Sequence, residues 1–258
     1  FFFINFITFP LLLIYLIENH EKGKWISFKI GWMFGFGYFI SNLYWITNAL
    51  TFEEIFKPLI PIALILIPLF LGGFYGIITL ACSFFSLNKK FSSILIFSFF
   101  FSLIEFVRGF ILGGFPWNLV AFAWTDYIYF LQTLPFIGTY SFNLLSVTVF
   151  LIPTIILFKY SKFTKLSFLA FSLTILTINF FYGSIIIKNN EKISDTNLDF
   201  IIKIISPNID IARYFENESP EKIISELVNI SNPNDSKKTI FIFPEGVLPN
   251  VYLEDLKN

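Results

Sequence analysis

The sequence predicts a polytopic α-helical membrane bundle followed by the truncated start of an α/β domain. Composition is the first reason: 55% of residues are hydrophobic and 14% charged, where a globular chain carries about a quarter charged. Charge placement is the second, since residues 1–182 hold 16 of the 36 charged side chains and residues 183–258 hold the other 20. The third is the run Thr239-Ile240-Phe241-Ile242-Phe243-Pro244-Glu245. Short, apolar and rich in β-branched residues, it suits a buried central strand that the proline ends. Glu245 then stands at the strand's carboxyl end, where open α/β folds place their chemistry.

Several partner classes are excluded early. A net charge of zero offers no basic face for nucleic acid. The single Cys82 lies in an apolar run, so no disulfide framework or thiolate metal set is available, and a buried hydrophobic role suits it better than a nucleophile's. His20, beside Glu18 and Glu21, is too isolated to found a metal site. Neither a metal nor a cofactor is expected.

Six membrane segments are expected, near residues 1–17, 26–50, 58–87, 91–112, 134–158 and 163–182, within a helical domain 1–182. Pro58, Pro61 and Pro68 allow a break or tilt in the third. Turns after the first, third and fifth segments carry Lys22, Lys24, Lys89, Lys90, Lys159, Lys162 and Lys165, whereas those after the second and fourth carry Lys57 alone, beside Glu53 and Glu54. By the positive-inside rule the lysine-rich turns are cytoplasmic and the region after Gly183 emerges outside. Phe1 falls outside too, and the chain, beginning without Met, reads as a fragment with at least one helix upstream.

The connection 105–133 is unusual. Glu105 and Arg108, three apart, share one helix face near a membrane boundary before Gly113-Gly114-Phe115-Pro116-Trp117 breaks the helix. An ion pair that neutralises itself at a helix end explains the pair as well as a functional role does. Trp117, Phe122, Trp124, Tyr127, Tyr129 and Phe130 read as an interfacial belt, which could also rim an opening for a lipid chain.

Past a linker at 183–197, residues 198–206 read as a strand, 220–231 as a helix opened by Ser219-Pro220 with Glu221 in its first turn, and 239–244 as a second strand. That order suits a right-handed β-α-β crossover. Residues 198–258 are too few to close a layered domain. Lys237 and Lys238 read as a solvated turn, and a carboxylate after a strand, as Glu245 is, is by itself more often a helix cap or solvated turn residue than a catalytic one.

Five stretches in order carry a family resemblance: Gly35-Phe-Gly-Tyr-Phe-Ile-Ser-Asn-Leu-Tyr44-Trp45-Ile46, the Glu105 to Trp117 run, Pro135-Phe-Ile-Gly138-Thr-Tyr140-Ser-Phe142, Pro207-Asn208-Ile209, and Phe243-Pro244-Glu245-Gly-Val-Leu-Pro249. Together they resemble apolipoprotein N-acyltransferase, a multi-pass bacterial inner-membrane protein with a periplasmic domain of the carbon–nitrogen hydrolase (nitrilase) fold, an α-β-β-α sandwich. The resemblance implies transfer of an acyl chain from a membrane phospholipid to the α-amino group of a diacylated apolipoprotein cysteine, through an enzyme thioester. Of the family's Glu-Lys-Cys triad, Glu245 matches the glutamate, a general base. The lysine and cysteine lie beyond Asn258, so this fragment alone is expected to be inactive.

By the same resemblance Phe215, Trp117 and Pro116 are candidate substrate contacts, and Glu105, Arg108, Tyr44 and Trp45 candidate structural residues. The chain departs from the family after Pro207-Asn208-Ile209: Asp210 and Ile211 stand where a Pro-Gln pair is usual, and Phe215 occupies the position of a tryptophan. A second class, a membrane transport or scaffold protein with a non-catalytic tail, also fits an intramembrane acid-base pair and proline-broken helices.

Overall fold

A computed structural model describes residues 2–193, 200–208, 219–233 and 238–248. Two compact units are present: residues 1–51 with 55–192, and residues 52–54 with 193–258. The larger is helical, comprising α1 (Asn5–Asn19), α2 (Lys24–Leu43), α3 (Ile60–Cys82), α4 (Phe91–Arg108), the short α5 (Ile128–Leu131), α6 (Leu134–Phe150), the short α7 (Thr154–Leu157) and α8 (Lys162–Ile193). The smaller holds β1 (Phe200–Ile204), α9 (Pro220–Ser231) and β2 (Lys238–Ile242).

Five helical stretches among the described residues are long and apolar enough to cross a membrane: Phe2–Lys22, Glu54–Cys82, Phe91–Arg108, Leu134–Leu157 and Lys162–Asn190. The second expected segment forms α2, whose 20 residues match the roughly 30 Å hydrocarbon thickness at 1.5 Å per residue. Lys24, Lys29 and three glycines dilute its apolar character. Most of α8 is apolar on every side and little covered by the rest of the unit, as suits a helix surrounded by lipid.

Helix contact follows small residues. Gly31 and Gly35 turn toward α3, and Gly72 and Gly76 toward α2, each pair four apart, and the two backbones approach closely where Gly35 meets Gly72. A Cβ on Gly31 would meet Thr79 Oγ1 and the Tyr75 carbonyl, and one on Gly76 would enter the Phe28 ring. The Trp32 indole N–H donates to the Leu69 carbonyl at 2.8 Å, tying the same pair of helices. Beyond this seam the core is aromatic: Phe9, Phe39, Phe97, Phe101, Phe150 and Tyr75 are all fully buried. Gly138 (φ +74) kinks α6 near its start, so its first turn, opened by Pro135, departs from the axis of the rest.

In the smaller unit β1 and β2 pair in parallel, Phe200 opposite Lys238 through Ile204 opposite Ile242. The α9 crossover buries Ile223, Leu227 and Ser231, spaced four apart. Pro220 opens α9 after Ser219, Glu221 lies in its first turn, and Asn232 ends it in the left-handed region at φ 43°. The Lys203 ammonium donates to the Ser231 and Asn232 carbonyls at 3.2 and 2.9 Å, satisfying that helix end. The expected β-α-β order is present, but the strand expected to be buried is half open: Ile240 is 50% and Ile242 47% exposed. Among the described residues β2 has one neighbouring strand, β1, in a two-stranded sheet.

The seam makes a contrast between adjacent residues testable. A Cβ on Gly72 would lie 2.8 Å from the Phe36 nitrogen and 3.0 Å from the Trp32 carbonyl oxygen, whereas one on Gly73 meets nothing within 4 Å. Gly72→Ala is expected to destabilise by about 1–3 kcal/mol through overpacking, and Gly73→Ala to be neutral or mildly stabilising. Thermal unfolding of both variants in detergent, followed by size-exclusion chromatography, checks the ordering.

Candidate functional site

The Glu105–Arg108 pair lies at the end of α4, each residue 1% exposed. Helical spacing puts both on one face, with Nη2 of Arg108 3.4 Å from Oε1 of Glu105. Neither charge relies on the other alone. Tyr75 of α3 donates its hydroxyl to Oε1 at 3.0 Å, and Asn143 of α6 donates its amide N–H to Oε2 at 2.5 Å. Nη1 of Arg108 donates to the carbonyls of Phe115 and Trp117 at 2.7 and 2.9 Å, and the guanidinium sits over the Phe39 and Phe115 rings. A single buried centre thus joins α3, α4, α6 and the loop after α4.

That loop is shaped by residues able to take left-handed backbone. Leu112, Gly113 and Gly114 have φ of 55, 86 and 77°, and Asn118 has 59°; glycine and asparagine adopt this region readily, whereas Leu112 is strained there. Gly109 is confined for another reason, because a side chain there would strike the Tyr140 hydroxyl. After the turn, Asn143 Oδ1 accepts the Ala121 backbone N–H at 2.8 Å, and a 3-10 stretch Val120–Trp124 follows. Asn143 thereby bridges the buried carboxylate and the loop.

Two regions chosen from sequence meet here. Trp117 stacks on Trp45 with ring centres 5.2 Å apart and planes at 18°. Tyr44 is 66% exposed and makes no part of the buried centre. Pro116 lies between Phe115 and Trp117, whose carbonyls Arg108 holds. The expected aromatic belt divides: Trp117, Phe122 and Tyr129 are exposed, but Trp124 is buried against Phe150, Phe142 and Phe130. Its turn points inward because Ala121 is pinned to Asn143. Tyr75 and Asn143 were not singled out in the sequence. A tyrosine in an apolar helix gives no local signal, although Asn143, the one carboxamide of α6, was a detectable one.

Beside this centre a cleft of ≈ 940 Å³ opens between the start of α1, the end of α2 and loop 117–127. Tyr38 forms part of its wall and donates its hydroxyl to the Asn118 carbonyl at 3.0 Å.

In the smaller unit Glu245 follows β2 directly after Pro244, in an exposed turn with Gly246 at φ +76°. This is the strand-end position expected of it. Phe215 and Lys237 lie outside the described residues, and Lys238 is the exposed first residue of β2 rather than part of a turn. Cys82 is buried at the end of α3. Among the described residues no three His, Cys, Asp or Glu side chains gather in a way that could hold a metal ion.

Breaking the buried pair from one side should be costly. Arg108→Met leaves a buried carboxylate and two loop carbonyls short of a donor, an expected loss of about 3–5 kcal/mol. Adding Glu105→Gln should cost less than the sum of the single variants, because the uncompensated charge is gone. Apparent melting temperatures of the four proteins in one detergent measure that coupling.

Comparison with known proteins follows the helical unit first. The family model described as Apolipoprotein N-acyltransferase N-terminal domain matches residues 1–152. Over 260 residues the chain is 30% identical to the apolipoprotein N-acyltransferase of Brucella melitensis biotype 1, covering 96% of this chain and 48% of that protein. The Rickettsia prowazekii protein of the same name is 30% identical over 239 residues, 92% of this chain and 46% of its own. That of Rhizobium etli is 28% identical over 272 residues, 99% and 50%. The chain spans about half the length of the curated relatives it matches.

Proposed function

Because the chain belongs to the apolipoprotein N-acyltransferase family and is a multi-pass membrane protein, we propose that it forms the membrane bundle and the first part of the catalytic domain of an enzyme that N-acylates lipoproteins. The donor is a membrane phospholipid and the acceptor the α-amino group of a diacylated apolipoprotein cysteine. Glu245 carries the reading: it is a carboxylate at the carboxyl end of β2 in a parallel β1-α9-β2 unit, the position where such sheets present reacting groups.

In the proposed reaction Glu245 takes the proton of a cysteine thiol supplied by sequence after Asn258. The thiolate attacks the phospholipid ester carbonyl, and a lysine, also from beyond Asn258, stabilises the tetrahedral oxyanion. Collapse forms the thioester and releases a lysophospholipid, whose alkoxide takes up the proton. The acceptor amine then attacks the thioester, the amide forms, and the thiol is restored. Pro116, Trp117 and Phe215 are assigned to substrate contact, while Glu105, Arg108, Tyr44 and Trp45 shape the bundle. A transport or scaffold role would leave the strand-end carboxylate without a task.

The proposed orientation puts the lysine-rich turns in the cytoplasm and the smaller unit on the periplasmic side. In a Cys82→Ala background, an impermeant thiol reagent should label Asn229→Cys in intact cells and leave Ser86→Cys unlabelled until the membrane is opened. The opposite pattern inverts the topology.

Catalysis is tested in a full-length protein, built by continuing the chain with the C-terminal half of a curated relative. Glu245→Gln keeps the shape of the side chain and removes the base, so thioester formation on labelled phospholipid should fall about 10²–10⁴-fold at unchanged membrane abundance. Full activity in that variant would return Glu245 to the role of a turn residue.

A further inference from the structure

A second groove, of ≈ 530 Å³, runs between α1 and α2 on the membrane-facing side of the bundle. Leu11, Ile26, Ile30 and Met33 give it apolar walls, and Leu11 and Met33 are 60% and 65% exposed, so it opens toward the hydrocarbon. Its polar groups are Lys29, Tyr15 and Thr8, and among the described residues no carboxylate lines it. Lys29 is exposed in a largely apolar stretch of α2 and makes no hydrogen bond or ion pair among the described residues.

Depth separates the polar and apolar parts of this groove. Lys29 lies five residues after Lys24, which opens α2, and Tyr15 four before Asn19, which closes α1. At 1.5 Å per residue both stand about 6–8 Å inside the helix ends, where a long side chain still reaches the interface. Thr8 and Phe34 stand about 15–17 Å inside, near the middle of a hydrocarbon core roughly 30 Å thick. The groove therefore has the length of one leaflet, with its cation toward the outer end. Two neighbouring charges are engaged elsewhere: Glu18 holds Lys89 at 2.9 Å, and Lys24 lies over the Phe84 ring at 3.7 Å, turned toward the end of α3.

We infer that this groove holds an anionic phospholipid of the leaflet at the lysine-bearing end of α2, its chains along Ile30 and Met33, its phosphate against the Lys29 ammonium and the Tyr15 hydroxyl. Charge decides between head groups. A phosphate esterified to an uncharged alcohol leaves the lipid with a net negative charge, which Lys29 meets directly. An ethanolamine head brings its own ammonium, which neutralises the phosphate internally and finds no carboxylate in the lining. The lipid is a bound component of the bundle and not a reactant. Its groove shares Thr8, Met33 and Phe34 with the cleft beside loop 117–127, but Lys29 lies toward the start of α2 while that cleft opens at the helix's other end. Neither Glu245 nor acyl transfer enters the argument.

Native mass spectrometry of the detergent-purified chain, given equal phosphatidylglycerol and phosphatidylethanolamine with identical acyl chains, tests the assignment. Phosphatidylglycerol adducts should exceed phosphatidylethanolamine adducts roughly fivefold, the effect of one lysine facing an anionic lipid. Lys29→Gln should bring that ratio close to one, and Lys29→Arg should keep it. Lys159 is an exposed lysine outside the groove, in the turn after α7, and Lys159→Gln should leave the ratio unchanged. Leu11→Trp adds bulk to a lipid-facing wall, so it should fill the groove and lower the amount of phosphatidylglycerol bound. Equal binding of both lipids by the wild type, an unchanged ratio in Lys29→Gln, or unchanged binding in a monodisperse Leu11→Trp protein would each overturn the assignment. A loss in Lys159→Gln as large as that in Lys29→Gln would overturn it too, by tracing the preference to diffuse positive charge, as would a second protein chain bound in place of lipid.

Discussion

Everything in the helical unit is arranged around one constraint, that a carboxylate and a guanidinium are buried together where no water can solvate them. A desolvated ion pair is stable only when its remaining hydrogen-bonding capacity is also met. For Glu105 and Arg108 most of that capacity is met by Tyr75 from α3, Asn143 from α6 and two carbonyls from the loop, with Nε of Arg108 left unpartnered among the described residues. Three helices and one loop must therefore be in register at the same time. The glycine seam serves the same end: with α2 and α3 in backbone contact at Gly35 and Gly72, Phe39 of α2 lies under the guanidinium while Tyr75 of α3 reaches the carboxylate.

Much of this was legible in the sequence because its physics is local. Apolar length announces a membrane helix, Gly-Gly-Phe-Pro-Trp announces a break, and an acid and a base three apart announce a shared face. The β-α-β order of the smaller unit was readable from Ser219-Pro220 and from the change of period between residues 198–206 and 220–231. What was not legible depends on tertiary partners. Trp124 looks like any interfacial tryptophan until Asn143 is seen to pin the backbone of Ala121 and turn the ring inward. Ile240 and Ile242 have the pattern of a central strand, yet burial depends on neighbours that the local pattern does not specify. Nothing near Tyr75 in the chain predicts its bond to Glu105, thirty residues away.

The same constraint separates scaffold from chemistry. A group that exchanges protons or binds a substrate must have capacity left over. Both oxygens of Glu105 are engaged, and Arg108 spends both terminal nitrogens on the carboxylate and the loop. Cys82 is buried at the end of α3, where it packs as a small apolar side chain. The ionisable groups at the bundle's centre are thus committed to holding it together, which weakens a proton-relay or transport interpretation of the Glu105–Arg108 pair. Carboxylates with capacity to spare lie elsewhere: Asp126 at the mouth of the cleft and Glu245 at the end of β2 are both exposed, and neither has an ion pair among the described residues. Polar residues divide accordingly into those the fold consumes and those it presents. On that division the bundle supplies rigidity and a lined opening, and the acid-base work proposed for Glu245 falls to the strand-end carboxylate of the smaller unit.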